Sequence, residues 1–123
     1  MEEIDLTKID ELEKHGPIIE IEVNGTNLKG LIDTGAAVTC ISSECAEKLG
    51  LTQTGTSWHD QRNGIESPIY KCSIVLQQRR FEEHEIRAFP LASPKNHQLI
   101  IGRDLLTAFT LTYIGHEGRF TLM

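Results

Sequence analysis

Leu31-Ile32-Asp33-Thr34-Gly35-Ala36 is the stretch on which the reading of this chain turns. Apolar residues run straight into an Asp-Thr-Gly turn, and a second apolar run, Val38 to Ile41, follows it. An ionised carboxylate at the end of a buried strand is costly without partners, so such a group is paired, shifted in pKa or used in chemistry. Activating water with carboxyl groups takes two of them, one ionised to accept a proton and one protonated to donate it. Two carboxyls at close range share a single proton, because both cannot ionise cheaply. The chain carries one Asp-Thr-Gly. Asp33 therefore reads as half of a pair whose other half comes from a second copy across a twofold axis. The structural alternative is an Asx-type turn capped by Thr34.

A second motif favours the paired reading. Leu99-Ile100-Ile101-Gly102-Arg103-Asp104-Leu105-Leu106 sets a glycine and an Arg-Asp pair after an apolar run. With Asp33-Thr34-Gly35-Ala36 it resembles the retropepsin-like (retroviral-type, single-domain) aspartic proteases over residues 17–123. The resemblance implies an all-β fold: a closed β-barrel or sandwich with one or two short helices, functional as a homodimer. It gives Asp33 the catalytic role and makes Thr34, Gly35 and Ala36 the support of the catalytic loop, with the Thr34 hydroxyl reaching across the axis. Gly102, Arg103 and Asp104 become structural support. In the family the arginine pairs with acids near this loop and the subunit boundary. Many viral members carry an acid two positions past the glycine of Asp-Thr-Gly, where this chain has Ala37. The partner of Arg103 is thus open among Asp104, Asp60 and a residue of the other copy.

Size and charge narrow the classes. With 123 residues and 39% hydrophobic content the chain supports one compact domain. A net charge of −6 and a pI near 5.3 argue against nucleic acid or an anionic membrane as main partner. No stretch has the length of a membrane span, and Met1-Glu2-Glu3 lacks the apolar core of a secretory signal, so a cytoplasmic location is the expectation. The odd set Cys40, Cys45 and Cys72 points to reduced thiols: small buried hydrophobes and one helix-surface thiol rather than a zinc site. Neither metal nor cofactor is expected.

Along the chain, residues 1–16 read as an N-terminal extension, a short helix capped by Thr7 and stopped by Gly16-Pro17. The domain proper is read as 17–123. Ile19, Ile21 and Val23 alternate with glutamates as a half-exposed strand, and Asn24-Gly25 is a hairpin signal. The returning strand delivers Asp33. Ala36 to Ser42 reads as a strand, and Ser42 or Ser43 caps a helix ended by Gly50.

Residues 54–70 correspond to the family's flap, a hairpin that closes over bound peptide. Asn63-Gly64 is its turn signal, and Trp58 either closes a substrate pocket or pins the flap base. The Gly-Gly tip of the viral enzymes is missing. Pro68 to Leu76 and Phe81 to Pro90 read as strands, the first with a bulge, the second with Ile86 and Phe89 inward and His84 exposed. Arg103 to Phe109 reads as a helix, and Thr110 to Met123 as a closing hairpin.

The implied activity is hydrolysis of peptide bonds in an extended peptide or protein substrate, by water activated between Asp33 and its symmetry mate. Two alternatives stand beside it: a catalytically silent dimeric peptide-binding module of the same fold, and a processing domain excised from a longer polyprotein.

Overall fold

The computed structural model describes the backbone of residues 2–5, 9–60, 65–89 and 96–123, and side chains outside 1–11, 57–66 and 90–95. Strands β2 (Ile18–Val23) and β3 (Thr26–Ile32) form the expected hairpin. Ile19, Ile21 and Val23 are buried on one face. Asn24 and Gly25 take the paired left-handed conformations, φ 49° and 85°, that a tight hairpin needs. Strand β4 is Cys40–Ser42 and β5 is Gln53–Asp60. Then come β6 (Ile65–Leu76), β7 (Arg79–Phe89) and β8 (Leu99–Ile101).

The strand order β2-β3-β8-β4-β7-β6 closes on itself, because β6 also pairs with β2 through Glu22↔Val75 and Val23↔Ile74. The result is a closed six-stranded mixed β-barrel, with β5 added outside β6. Closure removes the free edges that an open sheet would expose. Ile21, Val23, Ile41, Ile74, Ile86 and Ile101 fill it and are at most 1% exposed.

The first unexpected feature is a second, three-stranded sheet. It runs β1 (Glu2–Asp5), β10 (Arg119–Leu122), β9 (Leu111–Ile114), all from one chain. The C-terminal hairpin was legible; the N-terminal strand was not. Phe120 and Leu122, fully buried, carry this sheet's apolar face into the main core.

Three short α-helices are present among the described residues, against the one or two expected: α1 (Ile9–His15), α2 (Ser43–Lys48) and α3 (Arg103–Leu106). The helix beyond the count the resemblance implied is α1, the one read for residues 1–16, held because Leu12, 2% exposed, reaches the core. Helix α2 begins at Ser42, whose hydroxyl accepts from the Cys45 N–H at 3.2 Å, and Gly50 follows it at φ 62°. Helix α3 is a single turn, shorter than the helix to Phe109 that the sequence suggested. None of the described helices is long and apolar enough to cross a membrane.

Candidate functional site

The site arises from a crossing of chain segments. Strands β3 and β4 are consecutive but not paired: β8 lies between them, parallel to β3 and antiparallel to β4. The connection from Asp33 to Thr39 must therefore pass over the C-terminal end of β8. This is why the strand expected from Ala36 shortens to Cys40–Ser42.

Gly102 stands at the crossing. A Cβ there would lie 2.6 Å from the Val38 carbonyl carbon, 2.7 Å from its oxygen and 3.0 Å from the Ala36 oxygen. Only glycine lets the two backbones meet so closely. Gly102 thus lets the second motif pass directly against the Asp33–Thr39 connection, with backbone atoms as the reason.

Four hydrogen bonds from the second motif fix the turn. Asp33 N–H donates to the Ile101 carbonyl at 3.0 Å, and Arg103 N–H donates to the Ala36 carbonyl at 2.8 Å. Arg103 Nη1 donates to the Thr34 carbonyl at 2.8 Å. Gly102 N–H donates to Thr39 Oγ1 at 3.1 Å. Of the acids open as partners of Arg103, Asp104 is not the one: Arg103 meets a backbone carbonyl and Asp104 is held by Thr39 and His84, while the Asp60 side chain lies outside the described residues. Among the described residues no ion pair holds Arg103.

The Asp33 carboxylate is half-buried and accepts the Gly35 N–H at 2.8 Å. Thr34 and Gly35 are exposed, so the tip of the turn faces outward.

Asp104 is the opposite case. Its Oδ1 accepts the Thr39 hydroxyl at 2.7 Å and its Oδ2 lies 2.8 Å from His84 Nε2, which donates to it. Burial alone would raise its pKa; bonds from His84 and from the Thr39 hydroxyl and N–H, with the His84 charge, outweigh it and hold the carboxyl below its ordinary value. His84 was expected to be exposed, yet its side chain is only 20% exposed. The signal was available: counting back by two from buried Ala88 and Ile86 puts His84 on the same face.

The thiols nearby are inert. Burial pushes Cys40 up to about 11, opposed by Arg87 and helped by Asp104 and Asp33, and burial alone pushes Cys72 to about 11. Cys45 is half-buried on α2. Among the described residues no group of three or more His, Cys, Asp or Glu side chains is placed to hold a metal ion.

Of the residues expected at the substrate, Trp58 lies on β5, its backbone opposite Glu66 of β6. Asn63 and Gly64 lie outside the described residues.

The crossing of two such motifs has counterparts. A family model described as "gag-polyprotein putative aspartyl protease" matches residues 19–108. The chain is a retropepsin-like aspartic protease family member.

Retropepsin-like structures share its fold. A retropepsin-like aspartic protease from Rickettsia conorii superposes with a TM-score of 0.63 at 22% identity, over 85% of this chain and 80% of that one. The simian foamy virus (mac) protease gives 0.55 at 24% identity, over 72% and 89%. In sequence, DNA damage-inducible protein 1 of Chaetomium globosum is 30% identical over 104 residues, 77% of this chain and 22% of that protein. The matches span 10% to 22% of the length of the curated relatives.

Proposed function

We propose that this retropepsin-like domain is an aspartic endopeptidase acting as a homodimer in the cytoplasm. The observation that carries the reading is the Asp33 carboxylate. It sits half-buried at the start of an outward-facing turn braced by four hydrogen bonds, with one bond of its own among the described residues. A group so rigidly presented and so sparsely partnered is built to meet something outside its own chain. A second copy brings Asp33 against its mate. Water between the two carboxyls loses a proton to one and attacks a peptide carbonyl, while the other, protonated, polarises the carbonyl oxygen and then helps the amine leave.

Thr34, Gly35 and Ala36 keep the loop in shape, and Gly102, Arg103 and Asp104 support it. The substrate is an extended peptide laid in the cleft with alternate side chains in apolar pockets. The hairpin of residues 54–70 closes over it, with Trp58, Asn63 and Gly64 as contacts. Residues 17–123 form the protease domain and 1–16 its extension. The chemistry requires no metal or cofactor.

A silent peptide-binding module of the same fold is favoured by one observation, the replacement of the loop acid by Ala37, which leaves Arg103 on a carbonyl. One experiment separates the two. Purified protein is sized in solution and incubated with unfolded casein across the acid to neutral range, with pepstatin as control. The protease reading expects a dimer and pepstatin-sensitive cleavage that Asp33→Asn abolishes. A strict monomer, or peptide binding without cleavage, rejects it.

A further inference from the structure

The Thr39–Asp104 bond continues past α3. His84 on β7 closes a chain of contacts that runs from the barrel wall to the Asp33 turn. His84 Nε2 holds Asp104 at 2.8 Å, Asp104 holds the Thr39 hydroxyl at 2.7 Å, and that hydroxyl accepts the Gly102 N–H at 3.1 Å. We infer that His84 is a positioning residue for the catalytic loop, acting through Asp104 and Thr39; the catalytic half of this rests on the protease reading above.

The order of the chain excludes a more obvious role. A nucleophilic triad places histidine between the acid and the hydroxyl, so that the imidazole takes the hydroxyl proton. Here the aspartate is in the middle, and Thr39 is fully buried. The hydroxyl cannot attack a substrate, and its proton is committed to Asp104. The cluster orients groups; it does not react.

Geometry gives His84 leverage. Helix α3 is one turn long and cannot hold itself in place. Its backbone N–H groups at Gly102 and Arg103 grip the Asp33–Thr39 connection. Asp104 lies in that same turn, so tethering its carboxylate to β7 anchors the grip to the barrel. The imidazole is itself steered by the Phe81 ring, edge-on at 5.9 Å.

Other charged and titratable groups surround the pair. Glu85 and Arg87 of β7 share with it a recess of about 240 Å³, which Val38 and Ile69 complete. Cys40 of β4 feels both Arg87 and Asp104, while the Cys72 thiol of β6 faces the His84 carbonyl at 3.9 Å. Among these, the His84 Nε2–Asp104 Oδ2 contact is the one at hydrogen-bond distance from the carboxylate, an ion pair whenever the imidazole is protonated.

The test compares two variants of the full chain. His84→Phe keeps a ring and removes the donor, whereas His84→Gln retains an N–H of similar reach. Backbone amide hydrogen exchange is followed residue by residue. His84→Phe is expected to speed exchange at Asp33, Ala36, Gly102 and Arg103 by about tenfold, the share of one charge-assisted bond, while the β2–β3 hairpin is unchanged. His84→Gln is expected to restore most of the protection. In active protein, His84→Phe lowers kcat by about tenfold with KM little moved, and His84→Gln recovers it.

Unchanged exchange at those amides, or an equal rise throughout the chain, overturns the inference. If His84→Phe does not fold, His84→Asn gives the same reading, since its amide is too short to span to Asp104. Should the wild-type protein fail to cleave any substrate, the protease reading falls, and exchange alone still decides whether His84 braces the loop.

Discussion

Asp33 and Asp104 are the aspartates of the two motifs, and the fold treats them oppositely. Asp104, on α3, takes two side-chain partners from distant parts of the chain, Thr39 just before β4 and His84 of β7. Asp33 takes one, the N–H of Gly35 in its own turn. The difference teaches where stability ends and function begins. A carboxylate saturated with donors strengthens the fold that supplies them. A carboxylate with a single donor at the start of a fixed, exposed turn adds little to folding, and under the proposed function it is left free for a second copy.

The sharpest way to break this comparison is to neutralise each aspartate. Asp33→Asn is expected to lower cleavage by roughly a thousandfold or more while leaving thermal stability nearly unchanged, since the Asn carbonyl oxygen still accepts from Gly35. Asp104→Asn is expected to destabilise the fold by about 2 kcal/mol, because an amide offered to several donors leaves a buried group unmatched. Denaturant unfolding and a peptide-cleavage assay on both proteins check this. A large stability loss in the Asp33 variant would erase the distinction.

Gly102 sharpens it from the backbone side. Gly102→Ala drives a methyl group against the Val38 and Ala36 carbonyls at the crossing, which are backbone and cannot swing away. A loss of about 3 kcal/mol is expected, at the upper end for overpacking. Thr39→Val conserves volume and removes the hydroxyl shared by Asp104 and Gly102. It should cost about 1–2 kcal/mol, the price of two unmet partners in a buried place. Equilibrium unfolding in urea measures both.

How much of this the sequence disclosed depends on whether a feature is local. The Asn24-Gly25 hairpin, the Ser42 cap and the Asp33 and Gly102 motifs are set by neighbouring residues, and all were readable. The β6–β7 connection is less obvious, since Gln77 and Gln78 adopt φ 50° and 68° without a glycine. The partners of Arg103, the half-buried place of His84 and the pairing of β1 with β10 depend on which strands become neighbours in space. Glu2 meets Leu122 across almost the whole chain, and three acids with a single isoleucine carry no apolar period to announce a strand. His84 shows the subtler failure. Its polarity argued for solvent, but its register with Ile86 argued for the interior, and Asp104 supplied the partner that let register prevail.

The smallest effect expected is in the pH dependence of stability, and its sign follows from Asp104. The folded carboxyl binds its proton more weakly than an ordinary aspartate, because its donors favour the ionised form despite burial. Above the unfolded value of about 4, both states are ionised and the full stabilisation is present. As pH falls below it, the unfolded chain takes up the proton first, so stability declines, and it goes on declining until the folded carboxyl protonates too. Through the mildly acid range, where a shared-proton pair works best, the brace behind Asp33 therefore stays charged and intact. Asp104→Asn should flatten the acid limb of a stability curve measured over roughly pH 2 to 6, whereas Asp33→Asn should leave that contribution in place. An acid limb equally steep with and without the Asp104 carboxyl would mean that the stability difference between the two aspartates has another source.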